Sequence, residues 1–199
     1  MNLKSSYQKV TDTIYVHFLW VLTSLLGLLI TFGAASAALS KVMFKIYNDD
    51  EPTYVFQTFK KSFIENFVIS TKVWLLILVV GIATYFMTFS AFKNNNNLLK
   101  VISVVIAFEI SVFTFFVFPI ISVFVVDGII SLFKNTFLMM SKYLFISFQM
   151  IGSFVVIFLL MYYASPIFII LLLVSYGFIT TFYLRKAFET LKREILNKW

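Results

Sequence analysis

From Tyr143 to Leu184 the chain runs for 42 residues without a charged side chain. As one straight helix that stretch would extend about 60 Å, twice the roughly 30 Å hydrocarbon core of a bilayer. It reads as two spans broken at Ala164-Ser165-Pro166, because the residue before a proline disfavours helical geometry and proline suits the first turn of a new helix. Three more apolar runs precede it, 14–38, 67–92 and 98–126, the last with Glu109 and Pro119 inside. A soluble domain carries about 45–50% apolar and about 25% charged residues; here the fractions are 61% and 13%. The expectation is an all-α polytopic membrane protein. One membrane domain fills residues 1–199, with about five transmembrane helices at 14–38, 67–92, 98–126, 143–163 and 166–184.

Charge sets the expected orientation. The 16 Lys and Arg outnumber the 9 Asp and Glu, but they lie between and after the apolar runs rather than along one groove, so they speak for headgroups and against nucleic acid. With five crossings, Lys4, Lys9, Lys93 and Lys100 share one side and the other twelve basic residues share the opposite one. Lys and Arg are retained in the cytoplasm, which predicts the N-terminus outside and the C-terminus cytoplasmic. Ala35-Ser36-Ala37 has the A-x-A pattern of a signal-peptide cleavage site. The apolar segment before it is longer than the usual 7–15 residues, however, and lysines follow at once, so the first span is expected to be retained.

The longest connection, Leu39 to Asn66, has an acidic helix start at Asp49-Asp50-Glu51-Pro52. Beyond it Phe56, Phe59, Phe63 and Phe67 recur at spacings of three and four with Lys60, Lys61 and Glu65 between them. This describes an amphipathic helix on the cytoplasmic membrane face, serving as a headgroup anchor or as a docking surface for a partner. Asn94 to Asn97 is a polar outer turn.

Within the spans, His17, Trp20, Ser24, Gly27, Thr31, Ala34 and Ala38 fall at helical spacing on one stripe of the first run. Small residues on a stripe let helix backbones approach closely, so Ser24, Gly27, Thr31, Ala34 and Ala38 form a packing seam toward another helix of the chain or another protein. Glu109, about ten residues into the third span, is the principal intramembrane polar candidate. A carboxylate at that depth must be protonated, paired or near water, and its role is structural or functional on the sequence alone. His17, the single histidine, enters from the same side and is the second candidate. Cysteine is absent, which excludes thiolate metal sites, disulfides and cysteine nucleophiles. No phosphate loop, catalytic triad or paired intramembrane carboxylates occur, so no enzyme and no cofactor is expected.

Three segments carry a family resemblance. Thr31-Phe32-Gly33-Ala34-Ala35-Ser36-Ala37-Ala38-Leu39 resembles the Gly-Pro-Ala-x-Ala-Ala-Leu motif at the inner end of the first span in YesL-like membrane proteins, with Ala34 where the family usually has proline. Phe56 to Phe67 is similar to the segment before that family's second span, and Leu132-Phe133-Lys134-Asn135-Thr136-Phe137-Leu138 to its Leu-x-Lys-Asn-Ala-x-Leu stretch. The resemblance implies a small protein of the bacterial plasma membrane, often encoded beside carbohydrate ABC importers, with no established ligand-binding residues. The function it implies is an accessory subunit that binds the permease of a sugar or oligosaccharide importer. The alternatives are a stand-alone small-solute carrier or channel, whose sequence support is Glu109 alone, and a membrane scaffold or sensor.

Overall fold

The computed structural model describes residues 3–27, 29–48, 54–124, 128–163 and 169–196. Among these there are seven helices and no strand: α1 (Leu3–Leu26), α2 (Phe32–Asn48), α3 (Val55–Lys93), α4 (Asn97–Val123), α5 (Ile129–Lys142), α6 (Leu144–Tyr163) and α7 (Ile169–Leu196). Two of them, α3 and α4, are long and apolar enough to cross a membrane, and α5 with α6 makes a third crossing if that pair, bent by 86°, is a single span.

The first apolar run is not one helix. It divides after Leu26, where Leu29 takes a left-handed backbone (φ 64°) and the Ile30 and Phe32 amides donate to the Gly27 and Leu29 carbonyls. The Thr31 hydroxyl closes the turn by donating to the Thr23 carbonyl (2.7 Å), and the Trp74 indole nitrogen of α3 donates to the Leu29 carbonyl (2.9 Å). A helix end must satisfy its last carbonyls, and this turn does so largely with its own backbone. The chain then doubles back: Trp20 meets Ser36 and Thr13 meets Tyr47, so α1 and α2 are antiparallel.

α2 is the hub. Every residue from Gly33 to Ser40 is buried, and α2 packs against α1, α3, α4 and α7. Its Gly, Ala and Ser side chains are what admit so many neighbours: an added Cβ on Gly33 would run into the Ser70 carbonyl oxygen and come 2.8 Å from the Trp74 Cβ. On α3 the face toward the interior is Val55, Phe59, Ser62, Ser70, Val73 and Ile77, again with small residues in the middle.

The phenylalanine-rich segment is the first part of α3 rather than a separate element. No glycine or proline lies between Val55 and Val80, so nothing stops the helix on its way into the apolar run. Phe59 is buried and Phe63 half-buried, whereas Phe56 and Phe67 are exposed. The far part of α3 pairs with the near part of α4 around a narrow seam of Ile77, Thr84, Ala91 and Ser103, and the remaining surface there is largely apolar and exposed. Asparagine chemistry makes the tip: Asn95 is left-handed (φ 49°), Asn96 caps α4 by accepting from the Leu99 amide, and Lys100 donates to Asn95 (2.6 Å). α4 continues through Pro119 to Val123. The acidic start at Asp49–Pro52 and the break at Ala164–Pro166 lie outside the described residues.

Gly33→Ala is expected to lower the thermal stability of the detergent-solubilised protein, an overpacking cost of about 1–3 kcal/mol. Gly81→Ala on α3, where an added Cβ meets nothing within 4 Å, should be neutral or mildly stabilising. Melting curves of the two variants side by side check this, and equal loss in both would contradict the hub.

Candidate functional site

Buried polar side chains collect where α1, α2 and α7 meet. His17 on α1 is 3% exposed. Its Nδ1 lies 2.7 Å from the Thr13 carbonyl oxygen. A ring nitrogen facing a carbonyl carries the proton, so in the neutral ring Nε2 is a bare acceptor. Nε2 has no hydrogen-bond partner among the described residues and rests against Gly177, where a Cβ would sit only 2.6 Å away. One turn along α1, the Trp20 indole donates to the Ser36 hydroxyl (3.1 Å). Tyr176 stacks on Trp20 with centroids 5.6 Å apart and 12° between planes. The buried hydroxyls of Ser24 and Thr181 also lack a partner among the described residues. The cluster offers donors and acceptors in a dry setting, but it contains no carboxylate and no second base. General acid–base chemistry would need one. Among the described residues no three metal-ligating side chains converge.

Glu109 lies elsewhere. It is exposed on α4 and edges an apolar depression of about 230 Å³ walled by Leu76 and Val80 of α3, Val105 and Phe113 of α4, and Phe133 and Phe137 of α5. No hydrogen bond or ion pair reaches it within the described residues. It thus borders a depression that α3 and α5 wall beside α4, and the other lining residues offer the carboxylate no polar side chain. His17 and Glu109 are not brought together.

The expected seam is dealt out over two helices. Ser24 is on α1, Gly27 and Thr31 form the turn, and Ala34 and Ala38 are fully buried on α2. A Cβ on Gly27 would strike the Thr31 side chain, so that glycine serves the turn. Ala34 and Ala38 pack inside this chain. Ser36 and Tyr176 were missed by the sequence reading, and their only signal was a serine in a run of alanines and a Ser-Tyr-Gly triplet inside an otherwise apolar run.

Residues 13–87, which hold most of α1, all of α2 and α3 as far as Met87, match the family model described as protein of unknown function, DUF624. That is the YesL-like family of small bacterial membrane proteins. The matched segment therefore contains the hub, His17 and two of the three resembling motifs, while Leu132–Leu138 and Glu109 lie beyond it. No curated protein and no solved structure matches the chain.

Gly177→Ala should destabilise the protein by pressing on His17, and His17→Ala should relieve part of that loss. The double variant is then less destabilised than the sum of the singles, with a coupling of about 0.5–3 kcal/mol. Simple additivity in thermal melts would show that the contact carries no energy.

Proposed function

We propose that this protein is an accessory integral membrane subunit associating with the permease of a bacterial carbohydrate ABC importer. One observation carries the partner-binding part of that reading. Glu109 sits on an exposed apolar face, well inside an apolar helix, with no partner of its own among the described residues. A carboxylate at membrane depth is costly unless something pairs with it, and a helix of a second protein supplies both the missing donor and cover for the depression. The carbohydrate importer comes from the family resemblance. A carrier normally lines its path with several polar groups; here the buried polar cluster and Glu109 are separate, which favours the subunit over the carrier.

The orientation follows from charge and from the antiparallel pairing. Counting 14–38 as one crossing placed the N-terminus outside; the contact of Thr13 with Tyr47 (3.4 Å) ties the start of α1 to the end of α2 instead. We therefore place the N-terminus on the cytoplasmic side of the plasma membrane, leaving Lys93 and Lys100 beside the outer Asn94–Asn97 turn, in keeping with retention of basic residues inside.

Single cysteines at Asn95 and Gln8 test this: an impermeant thiol reagent applied to intact cells should label the first and spare the second, and labelling at Gln8 would return the N-terminus to the outside.

For the function, the unmutated protein pulled from native membranes should retain an ABC permease, and Glu109→Leu should reduce retention roughly ten-fold without lowering thermal stability. Absence of any permease rejects the subunit reading, and solute transport by the isolated protein in liposomes would favour the carrier.

A further inference from the structure

A cleft of about 610 Å³ opens where α2, α3, the end of α4 and the start of α5 converge. Lys41 and Lys72 reach it from α2 and α3, with Ser62 and Asn66 between them, and Gly128 and Ile129 line the α5 side. Glu65 is the one acidic lining residue among those described, and Lys61 already lies 3.9 Å from its carboxylate. Lys41 holds a contact of its own, so Lys72 is the cation on which an added anion would chiefly depend. The first turn of α5 adds a second attraction. Among the described residues α5 has no side-chain cap, its first turn holds no acidic residue, and its first helical bond is from the Leu132 amide to the Gly128 carbonyl, so the Ile129 to Ser131 amides have no partner within the helix. Such amides, together with the positive end of the helix dipole, favour an anion. The rest of the wall is apolar, including Ile69, Ile121 and Phe124.

We infer that this cleft binds a phosphate group, with the apolar wall alongside it suited to the chain of an anionic phospholipid. Its level in the membrane agrees. The uncharged stretch 73–92 of α3 is about 30 Å long, which sets Lys72 and Lys93 at the two faces of the hydrocarbon and the cleft among the headgroups on the Lys72 side. The inference stands independently of the permease reading, since it draws on neither Glu109 nor the family.

The test uses the full chain in a neutral maltoside detergent, with dioleoylphosphatidylglycerol, dioleoylphosphatidylcholine and inorganic phosphate as probes, read by thermal shift and native mass spectrometry. Phosphatidylglycerol should stabilise saturably, and Lys72→Gln should weaken that response about five-fold, while Lys93→Gln at the opposite end leaves it unchanged. Ile129→Pro, a position where proline suits the helix but removes one amide donor, should weaken it too. Saturation by phosphatidylglycerol alone identifies a lipid headgroup. Saturation by inorganic phosphate with the same Lys72 dependence identifies a free phosphate compound. The assignment is overturned if phosphatidylcholine matches phosphatidylglycerol with phosphate inert, if neither probe saturates, or if the Lys72 and Lys93 variants respond alike.

Discussion

Close backbone approach at α2 is the constraint on which the rest of the structure depends. In lipid there is little hydrophobic gain from bringing two apolar helices together, so association rests on van der Waals contact and hydrogen bonds. The run Gly33-Ala34-Ala35-Ser36-Ala37-Ala38 answers that requirement on every face at once, and all six residues are buried. Large side chains are then left to the neighbours and to the first residue of α2: Trp20, Trp74, Phe118 and Tyr176 form a connected set of ring contacts with Phe32. Small residues at the centre and aromatic rings around them are two halves of one packing solution, since each ring needs the space a missing side chain leaves.

The same hub explains what was and was not legible in the sequence. The helical class, the apolar α3 and α4 and the turn between them were readable, because four consecutive asparagines between two uncharged runs have few other uses. The division of the first run was not. Its turn is built from Leu29, Ile30 and Thr31 with Gly27 ahead, so no drop in hydropathy marks it, and a threonine hydroxyl and a tryptophan 45 residues away satisfy its carbonyls. A stripe counted at helical spacing from Ser24 to Ala34 therefore crossed a corner. The residues are still close, but as two facing helices rather than one face. The phenylalanine-rich segment failed in the opposite sense: a spacing pattern does not say where a helix ends, and no breaker separates it from the rest of α3.

Polar residues fared differently according to how they pay for burial. His17 was singled out as the one histidine, yet its setting depends on Gly177, which sequence spacing from His17 cannot reveal. Glu109 was singled out from its position in an apolar run alone, which carries no direction: α4 turns about 100° per residue, and whether position 109 faces in or out depends on which sides α3, α5 and α6 cover.

These placements bear on function through what they separate. The His17–Trp20–Ser36–Tyr176 cluster lies within the most tightly packed part of the fold, where Ala34, Ala38 and Leu39 have no exposed surface. Motion there would break the contacts that hold α1, α2 and α7 together. The α3–α4 pair beyond it is held along a narrow seam and exposes most of its apolar surface, so a second protein can cover it without disturbing the hub. A solute pathway would need polar groups along a route that opens, and the buried cluster sits where opening is most costly. A partner surface needs a rigid base and an unfilled face, and the base lies within residues 13–87 while the face extends past their end. The fold thus separates a tightly packed core, where opening is costly, from an exposed apolar pair that can be covered without disturbing it.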